Sequence, residues 1–245
     1  MTTSTSLPTA VRTDSRPRID HPEAALAAVT EFAVAGPEAQ QALFEASAAA
    51  WATLPWPATL LSITWLASVD GTRALAYAQW RSDAEFEAFG RTHRPVLAAH
   101  FAAVAPKAVA EPVAFHRRYR SQTTPDAPLP GCIVAVQVTF DGPDAARQAA
   151  WVDAVYDALA AEPPPAGGLA SHFHLSTDGT RVLNWAEWVD EASHRDALAR
   201  SGGRSIGVGP KWERVRTWPG LQASRVTRYR FDRRLVPSDA ATREA

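Results

Sequence analysis

Asp70-Gly71-Thr72-Arg73-Ala74-Leu75-Ala76-Tyr77-Ala78-Gln79-Trp80 returns as Asp178-Gly179-Thr180-Arg181-Val182-Leu183-Asn184-Trp185-Ala186-Glu187-Trp188, an offset of 108 residues. Each copy follows an apolar, strand-like run and precedes an acidic, helix-like segment. A period this long exceeds a solenoid unit and marks a duplicated domain. The differences between the copies then carry the functional signal. Asn184 stands where the first copy has Ala76, whereas both copies keep the tryptophan four residues on, Trp80 and Trp188.

Outward from the first copy, residues 26–34 read as a strand ending at Gly36-Pro37, a turn ahead of a helix. Over 38–54, Leu43, Phe44, Ser47, Ala50, Trp51 and Leu54 recur at helical spacing until Pro55 and Pro57 stop it. Strands at 60–68 and 73–80 meet at Asp70-Gly71, a strong hairpin signal. Ser82 and Glu85 form a capping box for the next helix, and a last strand runs over about 112–120. The second copy repeats the order: strand 133–140, helix 144–161, strands 169–176 and 181–188, a helix opening at Asp190 or Ser193, and strand 224–232. A glycine-rich stretch, 201–210, interrupts its second helix, and Gly202-Gly203-Arg204 reads as a surface loop.

The order βαββαβ is the ferredoxin-like pattern. A sheet with helices on one face leaves the other bare, and two such sheets in one chain can cover each other. The expected fold class is therefore α+β: two ferredoxin-like domains fused as an intramolecular dimeric α/β barrel. The boundaries follow as a disordered arm at 1–18, copy one at 19–120, a Pro- and Thr-rich linker at 121–130, copy two at 131–233 and a tail at 234–245.

Composition narrows the function. The chain has 245 residues, 46% hydrophobic, with a formal net charge of −1, so no global field draws nucleic acid or an anionic membrane. The basic pairs Arg117-Arg118 and Arg233-Arg234 read as solvated strand ends. Cys132 is the only cysteine, which rules out an internal disulfide and a cysteine-based metal cluster. In its apolar run it reads as a small hydrophobe. No run approaches the ~20 apolar residues of a membrane span. A soluble, cytoplasmic protein is expected.

Hairpin parity sorts the side chains. A two-residue turn at Asp178-Gly179 sets Phe173 opposite Asn184, and directly opposed residues share a face. Ser171, Phe173, Leu175, Val182, Asn184, Ala186 and Trp188 then share one face, and His172, His174, Leu183, Trp185 and Glu187 the other. The first copy's equivalent of the Asn184 face is wholly apolar, with Trp65 opposite Ala76. A buried Asn must find partners or cost about 1–3 kcal/mol. It either bonds a nearby backbone group or aims its amide at a ligand oxygen. His172, His174 and Glu187 are metal-ligand types, but buried polar pairing between the sheets is the favoured reading, and no metal is expected.

Phe32-x-Val34-x-Gly36-Pro37, Leu61-Ser62, Ser68-x-Asp70-Gly71-Thr72 and Tyr77-Ala78-Gln79-Trp80-x-Ser82 resemble the antibiotic biosynthesis monooxygenase family, in particular its quinone-forming anthrone oxygenases. The likeness covers about 25–120 and again 130–230. The family motif Asn-Tyr-Ala-Gln-Trp implies catalytic roles for Asn184 and Trp188, in holding the substrate and promoting electron transfer to O₂. A strand aromatic carries over to Phe173 or Trp65. Trp80 keeps its place without the Asn. An Arg that the family places about twenty residues after the Trp has His100 near its position in copy one, and Lys211 or Arg214 in copy two.

Tandem chains of this size also resemble the oxygenases that open the B ring of angucyclines with reduced flavin. The resemblance thus implies an oxygenase for a phenolic polycyclic aromatic polyketide, acting by ring-opening C–C cleavage or quinone formation. It implies a substrate slot of Phe173, Trp188 and Tyr156 in copy two. Partners would be the polyketide and O₂. No cofactor would be tightly bound, and reduced FAD or FMN would come in trans from a flavin reductase. Beyond the internal pseudo-dimer, further self-association stays open. The alternatives are a polyketide cyclase and a non-catalytic binding module of the same fold.

Overall fold

The protein is described by a computed structural model over residues 10–203 and 205–240. The chain divides into two compact units, one formed by 1–114 with 231–245 and one by 115–230.

Unit one contains β1 (Ala10–Thr13), β2 (Leu26–Ala33), α1 (Pro37–Thr53), β3 (Leu60–Ser68), β4 (Arg73–Trp80), α2 (Asp83–Thr92), α3 (Arg94–Val104) and β5 (Val109–Ala110). Pro37 opens α1, where a missing N–H costs nothing. Ser82 caps α2 by accepting from the Glu85 N–H. His93 separates α2 from α3, and Pro95 stands in the first turn of α3. The strands β2, β4 and β3 pair antiparallel. Trp65 lies directly across from Ala76, as the turn parity requires.

Unit two contains β6 (Ala114–Thr123, from its second residue), β7 (Cys132–Phe140), α4 (Ala145–Leu159), β8 (Gly168–Ser176), β9 (Arg181–Trp188), α5 (Glu191–Arg200), α6 (Pro210–Arg216) and the first part of β10 (Leu221–Pro237). Its antiparallel order is β6-β8-β9-β7-β10. Asn184 lies opposite Phe173 on β8 and Val136 on β7.

The likeness between the two units extends below the level of the motif. Gln40 on α1 donates to the Arg73 carbonyl at 2.6 Å and to Ser68 Oγ at 3.3 Å. Its counterpart Gln148 on α4 donates to the Arg181 carbonyl at 2.6 Å and to Ser176 Oγ at 2.9 Å. Both glutamines are buried and clasp the first helix of their unit to the hairpin. The hairpin glycines Gly71 and Gly179 share φ 75, a conformation that disfavours any residue with a Cβ.

Three terminal expectations change. Residues 10–13 of the expected arm form β1, which pairs antiparallel with Arg234–Pro237; residues 1–9 and 241–245 lie outside the described residues. β6 runs on to Thr123, into the expected linker, and β10 to Pro237, into the expected tail. Arg117 and Arg118 are exposed, but Arg233 and Arg234 are not solvated. Arg233 is 2% exposed and pairs with Glu45 at 2.7 Å and Asp232 at 2.5 Å. Buried charge is tolerated when it is paired in this way. No helix among the described residues is long and apolar enough to cross a membrane.

Candidate functional site

In unit two the Asn184 face of the sheet does not close against the helices. Between them lies a cavity of about 340 Å³, within the ordinary range for a small-molecule site. Its floor is Val134, Val136 and Val138 of β7, Ser171 and Phe173 of β8, and Asn184, Ala186 and Trp188 of β9. Trp151, Val155 and Leu159, one turn apart along α4, form a wall. His194 and Leu198 of α5 and Trp212, Val215 and Arg216 of α6 form the rest, with Gly203, Ser205 and Ile206 from the connecting loop. The glycine-rich stretch is thus part of the cavity rather than a plain surface loop, and Arg204 lies outside the described residues.

The duplication shows why the space exists. In unit one Trp65 fills the equivalent position, packed against Phe44 at 5.3 Å, Phe32 at 5.6 Å and Phe101 at 6.4 Å, with its indole N–H on Ser47 Oγ at 2.9 Å. At the corresponding positions unit two has Phe173 for Trp65 and Val152 for Phe44. Smaller side chains on the same backbone plan leave a void. A dry void forfeits dispersion contacts, so folding alone does not account for it.

Asn184 brings the main polar group to this cavity. Its Oδ1 is buried with no hydrogen-bond partner in the protein. The backbone-bonding alternative is therefore unmet at that atom. Trp188 is 2% exposed, lines the cavity beside it and stands edge-on to His194, centroids 4.9 Å apart. Its indole N–H is also buried and unpaired, as is that of Trp212. Buried polar groups are rarely left without partners, and here several converge on one apolar space.

Asn184, Trp188 and Phe173 are thus brought together. Tyr156 stands one row behind: its ring packs on Phe173 at 5.5 Å and under the Arg120 guanidinium at 3.9 Å, and burial raises its phenol pKa. Lys211 and Arg214 do not line the cavity. Lys211 donates to the Asp157 carbonyl at 3.0 Å, and Arg214 lies over the Trp218 ring at 5.1 Å. Arg216 places a guanidinium on the cavity wall, bonded to Ser205 Oγ at 2.9 Å and paired with Glu213. Helical phase explains the difference: Trp212, Val215 and Arg216 are spaced i, i+3, i+4 on one face of α6, away from Lys211 and Arg214. Sequence reasoning missed Arg216 and Trp212 of α6 and Trp151 of α4, and for Trp151 the helical spacing to Val155 and Leu159 was the signal available.

The unit-one residues sit in filled core. Trp80 packs between Phe86 at 5.2 Å and Phe89 at 5.4 Å. A ring nitrogen of His100, Nε2, lies 3.0 Å from the Ala46 carbonyl. On the other face of unit two, His172 Nδ1 is engaged by Ser121 Oγ at 2.9 Å, and His174 Nδ1 donates to the His172 carbonyl at 3.0 Å. Among the described residues no group of three or more His, Cys, Asp or Glu is placed to hold a metal ion. Burial pushes the Cys132 thiol up to about 11, out of the thiolate range needed for nucleophilic work.

No family model and no curated protein matches the chain. Among solved structures, an anthrone oxidase-like protein aligns over 92% of this chain and 95% of its own, at 14% identity and a TM-score of 0.65. A chlorite dismutase from Candidatus Nitrospira defluvii aligns over 88% of this chain and 94% of its own, at 9% identity and a TM-score of 0.53. The ActVA-Orf6 monooxygenase of Streptomyces coelicolor, solved with nanaomycin D, is 28% identical over 45% of this chain and all of its own, with a TM-score of 0.37. The chain thus has the fold of the anthrone oxidase-like protein.

Proposed function

We propose that the protein is an oxygenase that oxidises a phenolic, polycyclic aromatic polyketide with O₂ in the unit-two cavity. The observation that carries this reading is the buried, unpaired amide oxygen of Asn184 facing Phe173 in an apolar, aromatic-walled space. A flat fused-ring phenol suits such walls. Rotation of the amide offers either Oδ1 to a phenol O–H or Nδ2–H to the phenolate that replaces it. The substrate supplies the electrons: an anthrone methylene becomes a carbonyl, one oxygen of O₂ enters the ring, and the other leaves as water with the two hydrogens. The protein excludes bulk water and holds the ring oxygen as charge develops on it.

A resident flavin nucleotide fits this cavity poorly. Among the described residues the wall carries one guanidinium, Arg216, already paired with Glu213, and no second cation for a phosphate. Reduced flavin from a separate reductase is therefore an arm of the test rather than a step of the mechanism. The fold is shared with a chlorite dismutase, so the reaction must be argued from the site.

The test is O₂ uptake with an anthrone and with an angucycline phenol, each with and without reduced flavin, comparing wild type with Asn184→Ala. Uptake that falls about 100-fold in the variant supports the reading, the usual scale for losing one such donor. Flavin dependence then separates ring opening from quinone formation. Uptake indifferent to Asn184 moves the reaction out of this cavity, and no uptake under any condition favours a cyclase or binding module.

A further inference from the structure

Arg228 on β10 donates from Nε to Nδ1 of His194 on α5 at 2.9 Å. A guanidinium carries donors only, so the direction of this bond is fixed and Nδ1 bears a lone pair. The imidazole is then neutral, with its proton on Nε2. His194 is 2% exposed, lines the cavity and stands edge-on to Trp188 at an interplanar angle of 68°. Burial first, and the Arg228 charge second, push its pKa down to about 4, in agreement with the hydrogen-bond logic. Among the described residues Nε2 has no partner in the protein. The Trp188 indole N–H beside it is likewise unpaired.

We propose that Arg228 is a positioning residue that holds His194 as a neutral Nε2–H donor, and that this N–H, with that of Trp188, fixes an acceptor oxygen of the aromatic ligand. The inference rests on the cavity being the ligand site. It names what that wall selects: a ring carbonyl or a phenolate, groups that accept, rather than a phenol that must donate. It also excludes one role. With Nδ1 occupied and Nε2 protonated, His194 takes no proton from the substrate.

The test uses the full chain and a dihydroxyanthraquinone, whose binding is read by quenching of tryptophan fluorescence, together with ¹⁵N NMR of the histidine rings. The expected wild-type spectrum has a bare Nδ1 and a protonated Nε2 at His194, with the Nε2 signal moving on titration. Arg228→Met is expected to mix the tautomers and weaken binding about tenfold, the scale of one hydrogen bond. Arg228→Lys, which can still only donate, is expected to keep the tautomer and most of the affinity. Melting curves of both variants separate this effect from misfolding. A protonated Nδ1 in wild type, or Arg228→Met binding as wild type does, overturns the proposal while leaving the cavity reading intact. Absence of any quenching in wild type overturns both.

Discussion

Asn184 is the residue on which the two copies differ most informatively. On a face whose other members, Ser171 apart, are apolar or aromatic, a polar amide is a cost to folding, and its buried Oδ1 is unpaired. A site that carries such a cost is a place to look for function. The account therefore predicts a split outcome for Asn184→Ala. Oxygen uptake falls about 100-fold, yet thermal or urea unfolding changes by less than about 1 kcal/mol, because the unmet acceptor leaves with the side chain. A variant that loses both in proportion would mark Asn184 as structural. This residue was legible from sequence alone because the Asp-Gly turn fixes hairpin parity, and parity fixes the face. The role of His194 was not legible in this way, since its partner Arg228 lies 34 residues away.

At the scale of elements, legibility followed locality. The hairpins and the first helices carry their own turn and capping signals and form where expected. β1 falls within the expected disordered arm because its pairing partner, Arg234–Pro237, lies at the far end of the chain, where no local signal reaches. α6 differs for another reason: a seven-residue helix after a glycine-rich stretch has little periodicity to read, and Lys211 and Arg214, placed by their distance from Trp188 in the family motif, do not line the cavity. Lys211→Ala and Arg214→Ala are expected to leave ligand binding unchanged and stability within about 0.5 kcal/mol. Trp212→Ala, which strips a cavity wall and core contact, is expected to cost about 3–5 kcal/mol. Equal effects across the three in chemical denaturation would contradict this assignment of faces. In the loop between α5 and α6 the packing is tight: a Cβ on Gly207 would lie 2.0 Å from the Trp212 indole nitrogen.

The molecule as a whole keeps neutral histidines in its interior, and this shapes its response to pH. Burial first lowers His116 and His174 to about 3 from the ordinary 6.5. Both are more than nine-tenths buried. Each binds its proton more readily unfolded than folded, so its contribution is fully present above pH 6.5 and is lost as pH falls toward 3, at about 1.4 kcal/mol per pH unit for an isolated group. Urea midpoints are expected to drop steadily from pH 6.5 to 4.5; a flat profile over that window would contradict the burial of these rings. The two units share one plan but have different interiors: Trp65 and its aromatic neighbours fill the first, whereas Phe173 and Val152 leave the second open.

That difference can be seen directly in a crystal structure of the full chain with a bound dihydroxyanthraquinone. The account predicts the ring system in the unit-two cavity, between Phe173 and Trp188, with one of its oxygens in hydrogen-bond reach of the Asn184 amide. A ligand seated in unit one beside Trp65 and Trp80, or on the surface with Asn184 untouched, would contradict it.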